Sequence, residues 1–189
     1  MPPEHILYTA KHAEDEVLVV RDEFLPLVER VKDLLPKSLK LFLITSDTSK
    51  TVETKLEPAY NYEHLVEKAS ANYEFPDLDE NTDATLFYTS GTTGLPKGVI
   101  FTHRQIVLHA FSIIMASAFP SEAPLTSQDT LMPLVPFFHV HSWGVPYVAA
   151  FLASKFVLPG RYEWNFILEL MRKKRLHTPM ACLRYFMHL

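Results

Sequence analysis

A strand, an amphipathic segment and a second strand follow one another in residues 17–45, and this order constrains the fold more than any other feature. Residues 17–20 are a short β-branched run typical of a buried strand, and residues 39–45 are a second apolar run. The segment between them, residues 23–35, has apolar side chains at helical spacing: Phe24, Leu27, Val28, Val31, Leu34 and Leu35. Because a β-α-β unit joins parallel strands, the sequence predicts an α/β fold with parallel β-α-β layers.

The rest of the chain continues as short helices and strands. Helices are predicted at residues 2–12, 62–70, 103–118, 143–153 and 163–174. Strands are predicted at residues 84–89, 99–101, 130–135 and 155–158, and residues 46–57 are predicted to form a loop. The start of the helix at residue 103 rests on a T-x-x-Q capping box made by Thr102 and Gln105. The sequence has no internal repeat and no clear boundary between two domains.

The stretch from Tyr88 to Gly98 reads Y-T-S-G-T-T-G-L-P-K-G and has the composition of a polyphosphate-binding loop. Its hydroxyl groups, bare backbone amides and ammonium come from Thr89, Ser90, Gly91, Thr92, Thr93, Gly94 and Lys97. Amides and hydroxyls donate hydrogen bonds to phosphate oxygens, and the lysine neutralises charge. The loop differs from the G-x-x-x-x-G-K-[ST] of common NTPases, because Pro96 stands where that pattern needs its second glycine. The alternative interpretation is a Ser/Thr/Gly-rich surface turn between two strands.

A second motif, M-P-L-V-P-F-F-H-V-H-S-W-G, runs from Met132 to Gly144. His139 and His141 lie two positions apart with no carboxylate or thiol nearby, which argues against a metal site. Two interpretations remain. The aromatic residues could pack a corner between a strand and a helix, or they could line an apolar slot that holds one imidazole.

Composition narrows the class of protein. With 189 residues, 48% hydrophobic and 21% charged, the chain suits one globular domain with a core. A formal net charge of -4 provides no attraction to nucleic acid, and a single cysteine excludes an internal disulfide. No signal peptide opens the chain, and its apolar stretches are too short or interrupted to span a membrane. We therefore expect a cytoplasmic protein, with peripheral membrane contact left open and the oligomeric state unknown.

The loop of residues 88–98 resembles the signature of the AMP-forming adenylating enzymes, which include acyl-CoA synthetases, luciferases and nonribosomal adenylation domains. An F-H-V segment followed by a tryptophan stands at about the family's interval after the loop. The stretch P-P-E-H-I-L-Y-T-A-K-H-A-E-D-E-V-L-V-V, followed by F-L-P-L-V-E, resembles what the fatty-acyl-CoA synthetases carry upstream of it. The resemblance covers residues 2–174 and favours a medium- or long-chain fatty acid–CoA ligase over the other groups.

This resemblance implies a role for each motif, with ATP, Mg²⁺ and coenzyme A as cofactors and a fatty acid as substrate. The loop residues Thr89 to Gly94 would hold the β- and γ-phosphates, Lys97 would be the catalytic residue that balances charge on the departing pyrophosphate, and Thr89 would also offer its hydroxyl to Mg²⁺. The acyl and carboxylate pocket would be lined by Phe138, His139, Val140, Trp143 and Gly144. The alternatives are a non-catalytic remnant of the fold, or part of an enzyme that activates aryl or amino acids.

The resemblance also implies that the sequence is incomplete. We expect residues 1–174 to be part of the N-terminal adenylating domain, with incomplete sheets, and the small C-terminal domain to be absent. We expect such a chain not to turn over, since the family's Y-G-x-T-E segment and C-terminal lysine are missing. Residues 175–189 lack interpretable periodicity. Starting the reading frame on the last base of the Arg175 codon permits V-T-H-S-H-G-V-P-T-I-F-H-A-S, so we hypothesise an out-of-frame tail that the gene sequence can test.

Overall fold

The computed structural model describes residues 3–47, 52–89, 94–118, 124–160 and 163–173. Contacts divide the chain into two compact units, one made of Met1–Asp77 with Tyr88–Gly98 and the other of Leu78–Phe87 with Val99–Leu189. In the described ranges, no helix is both long enough and apolar enough to cross a bilayer.

The first unit is built on a parallel sheet. Helix α1 (Pro3–His12) precedes strand β1 (Val17–Arg21), and β2 (Leu41–Thr45) and β3 (Ala59–Asn61) follow in the sheet order β1-β2-β3. Both pairings are parallel, and the register of the first runs from Val17 opposite Leu41 to Arg21 opposite Thr45. The core beneath the sheet contains Val20, Leu25, Val28, Phe42, Ile44 and Leu56. The predicted parallel pair is confirmed.

The predicted helix of residues 23–35 is wrong in its continuity. The segment contains a 3₁₀ turn at Asp22–Phe24, helix α2 at Leu25–Glu29 and a second 3₁₀ turn at Lys32–Leu34. Leu25 and Val28 are three residues apart on α2 and so lie on one face, and both are buried, as is Val31 after the helix. Phe24 and Leu34, which helical spacing had placed on the same apolar face, are exposed.

The middle of the chain leads into and out of the glycine-rich loop. Helix α3 (Tyr62–Lys68) is capped by Asn61, whose side-chain oxygen accepts a hydrogen bond from the amide of His64 at 3.0 Å. Strands β4 (Asp83–Thr89) and β5 (Lys97–Thr102) pair as a two-stranded sheet on either side of the loop. The strands predicted at residues 84–89 and 99–101 are confirmed, and β5 begins two residues earlier than predicted. Strand β3 was missed because three residues without a β-branched side chain carry no strand pattern.

The second unit is organised around helix α4 (His103–Ala118), which packs against α6 (Val145–Leu152). Strands β6 (Thr130–Leu131) and β7 (Lys155–Phe156) pair in parallel, a single turn named α5 spans Val140–Trp143, and α7 spans Trp164–Lys173. The core contains Ala110, Leu131, Val135, Val145, Val148 and Ala149.

Strand β6 is shorter than predicted. It ends at Leu131 rather than at residue 135. Pro133 has no amide hydrogen to continue the ladder, so the main chain leaves the strand there while Pro133 and Val135 stay buried. The departing chain leads directly into the second sequence motif.

Candidate functional site

The two ends of the glycine-rich loop meet at the strands that flank it. Thr89 is the last residue of β4 and Lys97 the first of β5, and the Thr89 hydroxyl lies 3.5 Å from the carbonyl oxygen of Lys97. Both side chains are exposed. Gly94 has φ +106°, and a Cβ added there would meet nothing within 4 Å, so the position combines a backbone that favours glycine with open space. Ser90, Gly91, Thr92 and Thr93 lie outside the described residues.

Tyr88, the first residue of the stretch 88–98, is anchored to α1. Its hydroxyl lies 2.8 Å from Nδ1 of His12 and 3.3 Å from the carbonyl oxygen of Thr9. The rings of Tyr8, His12 and Tyr88 contact one another, with centroids 5.6–6.4 Å apart. Burial raises the pKa of Tyr88, and the nearby Asp15 and Tyr8 raise it further, so the hydroxyl stays protonated. These contacts fix the strand end from which the loop departs.

The second motif forms a left-handed turn. Val140, His141, Ser142 and Trp143 have φ values of 45°, 50°, 53° and 59°, and Gly144 continues at 79°. For residues other than glycine, this conformation costs about 1–2 kcal/mol each. The amide of Trp143 donates to the carbonyl of His139 at 3.2 Å, and that of Gly144 donates to Val140 at 3.2 Å. The sequence-based prediction of a helix starting at residue 143 is corrected here, because right-handed helix α6 begins only after Gly144.

Two contacts hold this turn, one made by a buried side chain and one by an exposed ring on α4. Ser142 is fully buried, and its hydroxyl donates to the carbonyl oxygen of Val135 at 2.6 Å. Gly144 lies against the ring of His109 on α4, where an added Cβ would come within 2.9 Å of that ring. The His109 ring also reaches the backbone of the turn, since its Nε2 lies 3.4 Å from the carbonyl oxygen of Trp143. A carbonyl can only accept, so this contact requires a proton on Nε2.

His141 forms a third contact. Its Nδ1 lies 3.0 Å from the hydroxyl of Tyr147 on α6, and its ring meets the edge of Phe87 on β4 with centroids 4.7 Å apart. Burial lowers the pKa of His141 and raises that of Tyr147, so both groups are held in their neutral forms. His141 thus joins the turn to a strand and a helix of the same unit.

The side chains of residues 137–140 and of Trp143 are exposed. Phe138 is 70% exposed and Trp143 is 49% exposed, and His139 and Val140 are also accessible. Phe138 and His139 stack on each other with centroids 4.6 Å apart. The four predicted pocket residues Phe138, His139, Val140 and Trp143 are thus each exposed, and we call the surface that they expose the accessible edge; the fifth, Gly144, is buried. Other rings of the motif do pack, since Phe137 contacts Phe156 on β7 and His141 contacts Phe87 and Tyr147, so both interpretations of the motif stay open.

Sequence reasoning missed the residues that support these two groups. His12 contacts Tyr88 across 76 positions, and His109 contacts Trp143 across 34, separations at which no periodicity operates. His141 was considered only as a metal ligand, and the part of the chain that is described contains no group of three or more residues able to share a metal ion.

Comparison with known proteins gives the family. The family described as AMP-binding enzyme matches residues 1–188. A medium-chain-fatty-acid–CoA ligase of Ectopseudomonas oleovorans is 43% identical over 83% of this chain and 28% of its own length. A 3-methylmercaptopropionyl-CoA ligase of Ruegeria pomeroyi is 40% identical over 84% of this chain and 28% of its own length. This chain thus spans about 28% of the length of these curated relatives.

Solved structures share the fold. A long-chain-fatty-acid–CoA ligase from Archaeoglobus fulgidus superposes with a TM-score of 0.73 at 19% identity, covering 93% of this chain and 32% of that one. An anthranilate CoA ligase in complex with anthranoyl-AMP superposes with a TM-score of 0.70 at 21% identity, covering 91% of this chain and 32% of that one. The predicted α/β fold of an adenylating enzyme is therefore confirmed, and because the family match extends over nearly all of the sequence, this chain belongs to the AMP-binding enzymes.

Proposed function

We propose that this chain supplies the phosphate-binding loop and part of the acyl pocket of an ATP-dependent fatty acid–CoA ligase. In that reaction a carboxylate oxygen attacks the α-phosphorus of ATP, the bond to the β-phosphate breaks, and pyrophosphate leaves. The thiol of coenzyme A then attacks the acyl carbon, and AMP leaves with the bonding electrons. The relative from Ectopseudomonas oleovorans, a medium-chain-fatty-acid–CoA ligase, supports this substrate class.

The observation that carries the proposal is the contact between Thr89 and Lys97 at the two ends of the loop. Thr89 and Lys97 meet within 3.5 Å through a hydroxyl and a carbonyl, and both side chains are open to solvent. An ammonium at this position can face a triphosphate, and a charge-assisted hydrogen bond contributes about twice as much as a neutral one. Lys97 would therefore stabilise charge as it develops on the departing pyrophosphate.

Thr89 also fits the metal expected for this chemistry. Mg²⁺ takes oxygen ligands, keeps several waters and is bound through few protein groups together with substrate phosphates. One exposed hydroxyl beside a phosphate loop meets that requirement. The metal would neutralise phosphate charge, while the part assigned to this chain is to hold it through the Thr89 oxygen.

The accessible edge of the left-handed turn supports an apolar acid as the substrate. Phe138, Val140 and Trp143 expose apolar surface there, beside the imidazole of His139. An amino acid would need a carboxylate for its ammonium, and residues 138–144 contain no Asp or Glu. The relative from Ruegeria pomeroyi, a 3-methylmercaptopropionyl-CoA ligase, fits the same class of uncharged chain.

We also propose that the 189-residue chain does not turn over by itself. Adenylation needs phosphate positioning, metal-assisted neutralisation of charge and closure of a second domain. The residues assigned to this chain would position the phosphates and would provide one ligand to the metal. The chain should therefore bind ATP weakly and release no pyrophosphate when fatty acids are added.

The test is a calorimetric titration of the 189-residue chain with MgATP, comparing Lys97→Ala with Thr93→Ala and with Lys68→Ala. Lys68 is an exposed lysine at the end of α3, so it controls for a simple loss of charge. Removing a charged hydrogen-bonding group costs about 1.5–3 kcal/mol, so Lys97→Ala should weaken binding roughly tenfold or more. Thr93→Ala should weaken it less, and Lys68→Ala should leave it unchanged.

Equal affinity of the unmodified chain and Lys97→Ala would remove the loop from the proposal. No detectable binding of MgATP by any of these chains would favour the non-catalytic remnant instead. Saturable release of pyrophosphate by the 189-residue chain would contradict the proposed need for further segments.

A further inference from the structure

The left-handed turn of residues 140–144 has an unfavourable backbone conformation, so other contacts must stabilise it. Five consecutive residues have positive φ, and only one of them is glycine. Strain of this kind survives where surrounding contacts over-determine the conformation, and it concentrates at functional sites. The contacts made by the buried face of the turn therefore indicate what determines the position of its exposed face.

We propose that His109, His141 and Tyr147 are positioning residues that hold this turn and so fix how Trp143 is presented at the accessible edge. The inference rests on the proposed function only for the role of Trp143 beside an acyl chain. The holding of the turn does not depend on ligase activity, so it can be tested separately.

His109 acts on the end of the turn in two ways. Its Nε2–H donates to the carbonyl oxygen of Trp143 at 3.4 Å, and this carbonyl belongs to the peptide bond between Trp143 and Gly144. Its ring also fills the space where a side chain at position 144 would lie, with 2.9 Å to a Cβ built there. Helix α4 thus limits both the direction of the Trp143 carbonyl and the size of the next residue.

His141 and Tyr147 act on the middle of the turn. The Tyr147 hydroxyl and Nδ1 of His141 are 3.0 Å apart, and the two rings are in edge contact at 5.2 Å between centroids. When the neutral imidazole carries its proton on Nε2, Nδ1 accepts a hydrogen bond from the Tyr147 hydroxyl. This hydrogen bond, with the edge contact to Phe87, leaves His141 directed inward while its neighbours Val140 and Trp143 are exposed.

The experiment uses the fluorescence of Trp143. The chain has two tryptophans, Trp143 and Trp164, so Trp164→Phe leaves one reporter. In this background Tyr147→Phe, His141→Phe and His109→Ala should each raise the acrylamide quenching constant of Trp143 and shift its emission to the red. Losing one neutral hydrogen bond should change the ratio of held to released turn by roughly two- to tenfold.

Matched controls separate positioning from general loosening. Tyr60→Phe and His64→Ala alter an exposed tyrosine and an exposed histidine of the first unit and should leave Trp143 quenching unchanged. His109→Gln keeps a side-chain N–H donor for the Trp143 carbonyl and should restore most of the quenching behaviour lost in His109→Ala. The double variant His141→Phe with Tyr147→Phe should match either single variant, since all three lack the same hydrogen bond.

Quenching and emission equal to the Trp164→Phe background in Tyr147→Phe and His141→Phe would overturn the proposal, as would effects that add in the double variant. If His109→Ala loses its far-ultraviolet circular dichroism, Tyr147→Phe and His109→Gln decide instead, because both keep a side chain of similar size to the one replaced. In that case, two results together would overturn the proposal. Trp143 would be quenched in Tyr147→Phe as in the Trp164→Phe background, and it would be quenched in His109→Gln as strongly as in the unfolded chain.

Discussion

His141 shows how one side chain can link the local pH response to the shape of the site. Burial lowers the pKa of its imidazole from the ordinary value of 6.5, so the folded chain favours the neutral ring. The unfolded chain then binds the proton more readily in the range around and below pH 6.5. The stabilising contribution is complete above pH 6.5 and is lost as the pH falls through the lowered pKa of the folded state.

We therefore expect the thermal midpoint of the chain to fall on acidification below about pH 6.5, with part of that fall assignable to His141. Phenylalanine does not titrate, so His141→Phe should flatten this part of the profile. His64→Ala, which removes an exposed histidine, serves as the control and should leave the profile unchanged. A profile for His141→Phe as steep as that of the unmodified chain would contradict the assignment.

The sequence predicted which residues make up the candidate site, but it did not predict which residues hold them in place. The hydroxyls, glycines and lysine of residues 88–98 could be assigned to phosphate binding because they are adjacent in the sequence. Their roles stay predictions, and Ser90 to Thr93 lie outside the described residues. The contacts of His12 with Tyr88 and of His109 with Trp143 arise from the tertiary fold, so no local pattern could show them.

At the scale of helices and strands, a boundary could be predicted from the sequence where a local hydrogen bond determines it. Helix α4 begins at His103, as its capping box predicts. The amide of Gln105 donates to the Thr102 hydroxyl at 3.3 Å, and the amide of Thr102 donates to the Gln105 side chain at 2.9 Å. The segment of residues 23–35 has no comparable signal for its breaks, since neither Phe24 before α2 nor Val31 before the second 3₁₀ turn makes a side-chain capping hydrogen bond.

The capping box gives a prediction for α4. Thr102→Ala should destabilise the first turn by about 1 kcal/mol, because the amide of Gln105 loses its acceptor. Hydrogen exchange followed by mass spectrometry on peptides covering residues 102–110 should show faster exchange there, with no change in α6. Gln105→Glu keeps a side-chain acceptor for the amide of Thr102 and adds negative charge near the helix start, so exchange should stay as slow or become slower. Equal exchange in Thr102→Ala and the unmodified chain would show that tertiary packing alone fixes this end.

At the scale of the whole molecule, the described surface exposes much apolar area. Strand β1 lies at the edge of the β1-β2-β3 sheet, and its Val17 and Val19 side chains are exposed. Phe75 is 87% exposed, and Phe111 and Met115 on α4 are about half exposed. Incomplete sheets were predicted from the resemblance, and the chain spans about 28% of the length of its curated relatives. The limits of the adenylating domain and the out-of-frame tail of residues 175–189, which lies outside the described residues, stay hypotheses.

Exposed strand edges and apolar patches favour association, so the 189-residue chain should self-associate and bind an apolar fluorescent dye. A charge on an edge strand opposes pairing with another chain, and Val19→Lys should therefore reduce both signals. Val66→Lys removes a similarly exposed valine from helix α3, whose backbone is not a strand edge, and should reduce dye binding without an equal effect on association. Light scattering and dye titration at matched concentrations provide the comparison. An unmodified chain that is monomeric, melts in one sharp transition and binds little dye would show instead that this chain is a self-sufficient domain.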